Sequence, residues 1–348
     1  MKKPRMIYAL LVAASIVGTP AFAAHSKDAS AKTPTRKSTA KAHTSSRHHV
    51  VHASVNSKKS KRVSVAKALY QDSRTSKVSP VRATSVSVDR DGNPLLHSNA
   101  FVVQELGTGK VLLERNAESV LPIASITKLM TAMVVLDAKL SLSETLTVTD
   151  DDTDKLKNTS SRLVVGTELT REEMIHVALM SSENRAAAAL GRNYPGGINA
   201  FVFAMNRKAQ ALGLSETFFH DSTGLNPQNV SSARDLAKMV AAASHYPLIR
   251  QFSTDDEETL MVRGREQTFR NTNALVKSPD WQIGVSKTGF INEAGRCLVM
   301  QAWLADKPMV IVLLDSVGKF TRVADAQRVK RWVENLVAHQ AGAHVPAG

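Results

Sequence analysis

A chain of 348 residues with 43% hydrophobic side chains can bury a large core, and its one cysteine, Cys297, rules out an intramolecular disulfide, so packing must hold the fold. The net charge of +14 reads at first as a nucleic-acid signal, but it is unevenly distributed. Residues 24–82 carry 14 Lys and Arg against Asp28 and Asp72, whereas residues 83–348 carry 28 basic and 29 acidic side chains, which leaves the body of the chain neutral.

Residues 1–23 have the parts of a secretory signal peptide: a basic "MKKPR", an apolar run from Met6 to Val17 and small residues at Ala21 and Ala23. The apolar run is shorter than the roughly 20 residues a membrane span needs, so export with cleavage after Ala23 is expected. Residues 24–94 follow as a basic tail rich in Ser, Thr, Ala and Lys, a composition that cannot bury enough apolar surface to offset ordering entropy. They are expected to be a disordered linker, with adhesion to an anionic wall or membrane surface as the sharper alternative. Export argues against a nucleic-acid partner. His48, His49 and His52 lack the folded frame that a metal site needs.

Residues 95–348 read as the folded part. Ala100–Asn116 alternates as a strand, a Gly-containing turn and a second strand. "LPIASITKLMTAMVV" (residues 121–135) is an apolar helix that begins near Ser125, with Lys128 as its one charge. A helical stretch over about 137–275 contains Thr170 and Glu173 in capping-box spacing. It also contains a tight connection at Ser181–Asn184 and a helix ended by Gly213. Three apolar strands, "WQIGVSKTGF", "RCLVMQAWLAD" and "PMVIVLLDSV", then precede a closing amphipathic helix with Val323, Ala326, Val329, Val333 and Leu336 in register. Two early and three late strands pairing in one antiparallel sheet give an α+β fold, with helices on both faces and an inserted all-helical lobe.

The candidate chemistry begins at Ser125 and Lys128. Residues three apart share a helix face, so hydroxyl and amine can meet, and a desolvated lysine near another cation can lose its proton. The same Ser-x-x-Lys spacing occurs at Ser38–Lys41, Ser64–Lys67 and Ser316–Lys319, and a lysine that reaches solvent is the plain alternative. Only Ser125 opens an apolar helix. Ser182-Glu183-Asn184 lies between two helices, and Lys287-Thr288-Gly289 lies on an apolar strand, where glycine allows close approach of a substrate backbone. The first is a weak signal alone, since Ser54-Val55-Asn56 repeats it, whereas Lys-Thr-Gly occurs once.

The three motifs in this order, with "HDSTGLNPQNVSSARDLAKM" and "KTGFINEAGRCLVM", resemble the penicillin-interacting serine hydrolases. Within them the chain looks most like the low-molecular-mass penicillin-binding proteins and their D-alanyl-D-alanine endopeptidase subgroup. The resemblance implies a β-lactamase/transpeptidase-like fold and a periplasmic serine D,D-peptidase acting on peptidoglycan, acylated by β-lactams and using no cofactor or metal. It implies Ser125 as nucleophile, Lys128 as base and Ser182 as proton relay. Asn184, Lys287, Thr288 and Gly289 would then hold substrate, with the N–H groups of Ser125 and Phe290 as oxyanion hole. Which lysine is the acylation base stays open. Glu183 at the centre of the second motif departs from the aspartate of class A β-lactamases. The short stretch after the third motif leaves no room for the C-terminal β-rich domain and anchor of the related carboxypeptidases. The first weakens the β-lactamase match and the second favours an endopeptidase, with D,D-carboxypeptidase and a non-catalytic wall-binding protein as alternatives.

The remaining motifs read as structure. Asp150–Lys155 lacks the glycine and terminal glutamate of a calcium loop. His176 falls within an apolar helix, His220-Asp221 is not needed beside a Ser–Lys pair, and Cys297 sits in an apolar strand.

Overall fold

The computed structural model describes residues 86–342. The expected signal peptide, most of the tail with its histidines, and the Ser38–Lys41 and Ser64–Lys67 pairs lie outside them. The end of the expected linker is structured: Val88 bridges Pro94, Asp89 accepts the N–H groups of Asp91 and Asn93, and Trp332 Nε1 donates to the Gly92 carbonyl at 2.8 Å. An Asp-Gly-Asn turn closed by its own side chain is ordered locally; composition across the whole tail hid it.

The chain enters the sheet through β1 (Ser98–Glu105) and β2 (Val111–Arg115), the expected hairpin. The short β3 (Leu121–Pro122) leads through a 3-10 turn at Ala124–Ile126 into α1 (Thr127–Asp137). Residues Thr127 to Val135 of α1 are all buried, because α1 is the axis around which the lobe is built. β4 (Thr145–Thr147) and β5 (Glu168–Thr170) form a small ladder before α2 (Arg171–Met180). The Thr170–Glu173 capping box starts α2 as expected. Then come α3 (Asn184–Arg192) and α4 (Gly197–Ala211). β6 (Val230–Ser231) pairs with β3 and is followed by α5 (Ala233–Ala243) and α6 (Pro247–Thr254). A hairpin of β7 (Glu257–Val262) and β8 (Arg265–Arg270) completes the lobe. The expected all-helical lobe is thus helical with two antiparallel ladders added. The β7–β8 hairpin turns at Arg263-Gly264, a strand signal outweighed at the sequence level by the charges around it.

β9 (Gln282–Ile291), β10 (Gly295–Leu304) and β11 (Lys307–Ser316) give a five-stranded antiparallel sheet in the order β2-β1-β11-β10-β9. Period-two alternation sorts its side chains. Ala100, Val102, Val299 and Val312 face the lobe core, while Phe101, Val103, Met300 and Ile311 face α7 (Thr321–Gly342) through Ala326, Val329 and Val333. Cys297 is buried, and burial pushes its thiol up to about 11, so it behaves as a small apolar side chain.

The last helix is fixed to the first strand by one buried carboxylate. Asp325 accepts the N–H groups of His97 and Ser98 and the Ser98 hydroxyl (2.7 Å), and pairs with Arg328 at 2.8 Å. Ser98 in turn meets Ser316 at 2.7 Å, so Ser316 serves the sheet. Asp325→Ala strands buried donors and is expected to cost about 3 kcal/mol. A lowered denaturant midpoint at unchanged m-value checks it.

Candidate active site

Ser125 sits on the 3-10 turn two residues ahead of Thr127, the first residue of α1, and not on the helix itself. Ala124 takes φ +48°, a left-handed conformation that costs a non-glycine residue about 1 kcal/mol. Two close approaches hold it there. A Cβ on Gly224, whose φ is +83°, would fall 2.0 Å from the Ala124 carbonyl oxygen. One on Gly289 would fall 2.9 Å from the Ile123 oxygen and 3.3 Å from Ser125 N. Glycine at both positions lets two backbone segments clamp the turn.

Lys128, the second residue of α1, lies one turn on from Ser125 and is 1% exposed. Its Nζ is 2.9 Å from Ser125 Oγ, 2.8 Å from Asn184 Oδ1 and 2.6 Å from the Thr223 carbonyl. Burial brings the ammonium down from 10.5 to about 7, against the raising fields of Asp221 and Glu183. A neutral amine has two N–H groups and one lone pair. Asn184 Oδ1 and Thr223 O can only accept, so they take the N–H groups and turn the lone pair to the Ser125 hydroxyl.

The orientation of Asn184 is itself fixed. Thr159 donates its hydroxyl proton to Asp154 at 2.8 Å, so its oxygen accepts from Asn184 Nδ2 at 3.1 Å. That turns the amide oxygen toward Lys128. Glu183, buried at the centre of the second motif, accepts from Ser161 (2.6 Å) and Arg162 (2.8 Å) and clasps the 159–162 segment in place. Asp221 accepts the N–H groups of Thr223, Gly224 and Asn226, shaping the loop that offers the Thr223 carbonyl. It is therefore structural, as expected. So is His176, stacked on Phe252 and facing Asp255. In the Asp150–Lys155 segment, Asp152 pairs with Arg192 at 2.9 Å and Asp154 collects the N–H groups of Leu156, Lys157 and Thr159.

Ser182, at φ +64° between α2 and α3, meets the third motif. Lys287 Nζ lies 2.8 Å from Ser182 Oγ and 3.1 Å from the Thr288 carbonyl. Burial holds its pKa well below 10.5, with the charges on Lys128 and Arg322 lowering it further. Desolvation is the largest cause for Lys128 as well. Lys287 lies behind the cavity wall, and Arg322, in the first turn of α7, lines the cavity and donates to the Gly289 carbonyl at 3.1 Å. Arg322 follows a strand end and belongs to no motif, so nothing in the sequence marked it. Thr288 bonds Thr272 at 2.7 Å, and the Phe290 side chain is half exposed.

Ser125, Ser182, Asn184, Thr288, Gly289 and Phe290 line one cavity of about 260 Å³, with Lys128 and Lys287 directly behind it. Thr159, Leu225, Thr272 and Arg322 complete its wall. All the candidate residues converge. A hydroxyl facing an amine lone pair, with a second hydroxyl on another buried lysine and a cationic rim, can carry out acyl transfer.

The family described as D-alanyl-D-alanine carboxypeptidase matches residues 86–318. A D-alanyl-D-alanine endopeptidase of Pseudomonas aeruginosa is 50% identical, over 72% of this chain and 84% of its own length. One from Escherichia coli is 46% identical, over 72% and 82%. Among solved structures, the Streptomyces K15 DD-transpeptidase is similar at a TM-score of 0.65 and 29% identity, over 69% of this chain and 98% of that one. Penicillin-binding protein D2 of Listeria monocytogenes in its ampicillin-bound form is similar at 0.61 and 29%, over the same shares.

Proposed function

The chain belongs to the D-alanyl-D-alanine carboxypeptidase family of serine peptidases, and from that membership we propose a D,D-endopeptidase that cuts D-alanyl peptide crosslinks of peptidoglycan through an acyl-enzyme on Ser125. As a member it is a serine D,D-peptidase. The endopeptidase reading draws on the 50% and 46% identical relatives that bear that name, whereas a relative named as a D-alanyl-D-alanine carboxypeptidase, from Bacillus subtilis, is 34% identical.

The lone pair that Lys128 turns to Ser125 is the observation that carries the mechanism. Lys128 takes the Ser125 proton as Oγ adds to the scissile carbonyl carbon. The resulting oxyanion is held by the N–H groups of Ser125 and Phe290. Collapse breaks the C–N bond, and Ser182, backed by Lys287, passes a proton to the leaving amine. Asn184 holds the acyl chain, Gly289 gives it clearance, and Thr288 with Arg322 takes the carboxylate beside the scissile bond. Water then adds to the ester and frees Ser125. β-Lactams enter the same first half and stop at the acyl-enzyme. Export to the periplasm and adhesion of the basic tail to an anionic surface belong to the same proposal.

Intact-protein mass after penicillin treatment is expected to rise by one adduct that maps to Ser125, and Ser125→Ala is expected to give none. An adduct on the variant overturns the assignment. Dimeric muropeptides are expected to yield monomers; trimming of monomers with dimers left intact would favour the carboxypeptidase.

A further inference from the structure

The hairpin of β7 and β8 borders a concavity of about 430 Å³, lined by Arg162, Val164, Val262, Arg263, Arg265 and Gln267. Strand register explains why arginine collects on this side. Val262 stands opposite Arg265 and Leu260 opposite Gln267, so period-two alternation puts all four on the face that also carries Phe269. Glu266, opposite Met261, falls on the other face. Arg162 comes from a different segment and is held in place by its neighbours. Its guanidinium lies 4.7 Å from the centre of the Phe269 ring, and its Nε donates to Glu183 at 2.8 Å.

The charges do not cancel. Glu183 is buried and already shared between Arg162 and Ser161. Arg263 and Arg265 are exposed and have no hydrogen-bond or ion-pair partner among the described residues. Arg263 takes φ +49° and Gly264 φ +75° at the hairpin turn, where asparagine or glycine suits the first position best. Arginine stands there against local preference. Guanidinium groups converging on a concavity recognise carboxylates, which they meet with paired N–H donors.

The position of the cavity narrows the occupant. Thr159 walls the catalytic cavity and Arg162 walls this one, and three residues of chain span no more than about 11 Å. A polymer engaged at Ser125 therefore passes within reach of the arginines. Residues 24–82, with 14 Lys and Arg against Asp28 and Asp72, have the wrong sign to fill the site. Val164 and Val262 are its only apolar lining, so it offers a bilayer no large side chain to insert.

We propose that the arginine cavity is an exosite for free carboxylates of the wall peptide, borne by a stem outside the catalytic groove and next to the crosslink being cut. The inference rests on the D,D-peptidase reading, which makes the substrate a polymer of linked peptides. No bond is made or broken there. Holding a second point of the polymer raises the local concentration of crosslinks at Ser125, and small acyl donors such as penicillin gain nothing from it.

The test uses the full chain and a synthetic crosslinked peptide in two forms. One has its carboxylates free; the other has all of them amidated except the one beside the scissile bond. The wild type is expected to show a KM about 5-fold lower for the free form at similar kcat. Arg263→Glu with Arg265→Glu changes two exposed side chains and is expected to abolish that preference by raising KM for the free form. Its penicillin-labelling rate and thermal midpoint should match the wild type. Arg263→Gln with Arg265→Gln is expected to fall between the two. A wild-type KM that ignores the carboxylates, or a preference that neither variant reduces, overturns the exosite. Arginine-dependent retention on anionic lipid vesicles without a carboxylate preference would assign the cavity to a membrane and overturn it too. Penicillin labelling separates the two levels: a labelled wild type with no preference loses only the exosite, whereas an unlabelled one loses the peptidase reading as well.

Discussion

Lys128→Met is expected to slow acylation by labelled penicillin by about three to four orders of magnitude, the upper range for removal of a general base. The change leaves no buried charge unpaired, because burial already holds the amine near neutrality. It removes two donors, to Asn184 Oδ1 and the Thr223 carbonyl, so the fold is expected to survive with a modest loss of stability. The wild-type pH profile is the sharper readout. A base with a pKa of about 7 is mostly protonated at pH 6 and mostly free at pH 8, so the acylation rate should climb through that interval and then level off. Linkage gives a second sign. Between about 7 and the unfolded value of 10.5, the unfolded chain holds a proton on Lys128 that the folded one does not. Stability therefore rises with pH across that window, and denaturant midpoints of the Met variant should rise less.

Gly224→Ala is expected to reduce acylation at least 100-fold although Gly224 has no side chain to take part in the chemistry. Its Cβ would fall 2.0 Å from the Ala124 carbonyl oxygen and 2.9 Å from Ser125 N of the oxyanion hole, so either the 221–226 loop or the nucleophile turn must move. A displacement of about 1 Å at a reacting atom is enough for a loss of this size. The loop also carries the Thr223 carbonyl that orients Lys128, so both routes reach the same pair of atoms. A stability loss of about 2–4 kcal/mol should accompany it. Gly264→Ala provides the comparison. It has a similar positive φ of +75° but open space around it, so it should cost about 1 kcal/mol and leave acylation unchanged. Labelling rates and thermal midpoints of the two variants separate backbone strain from the clash.

Ser125 and Lys128 were legible because an ammonium inside an apolar helix demands a reason, and two further motifs in order supplied it. The sheet was legible for a related reason: its late strands are apolar runs with turn residues between them, and α7 keeps helical spacing. The parts that stayed hidden depend on contacts far apart in the chain. Arg322 becomes part of the site only because the first turn of α7 lies beside the Gly289 carbonyl. Thr159 matters through Asp154 and Asn184, and neither its type nor its neighbours announce a role. How completely both lysines are desolvated is likewise a property of the packed molecule.

The pairing of β1 with β11 brings Ser98 opposite Ser316, so the centre of the sheet waits for nearly the whole folded part to be made. Contacts at such separation are slow to form, because loop closure is paid before they reward it. Until β11 arrives, the β1–β2 hairpin has an unfilled edge and α5 lacks the strand it packs on most. Ser125 is synthesised 162 positions before Lys287, on the far side of the lobe insertion. A nascent or truncated chain thus carries the nucleophile without the strand that walls it in. Reactivity should appear as a late event in refolding, and its onset can be timed against sheet formation with a fluorescent penicillin.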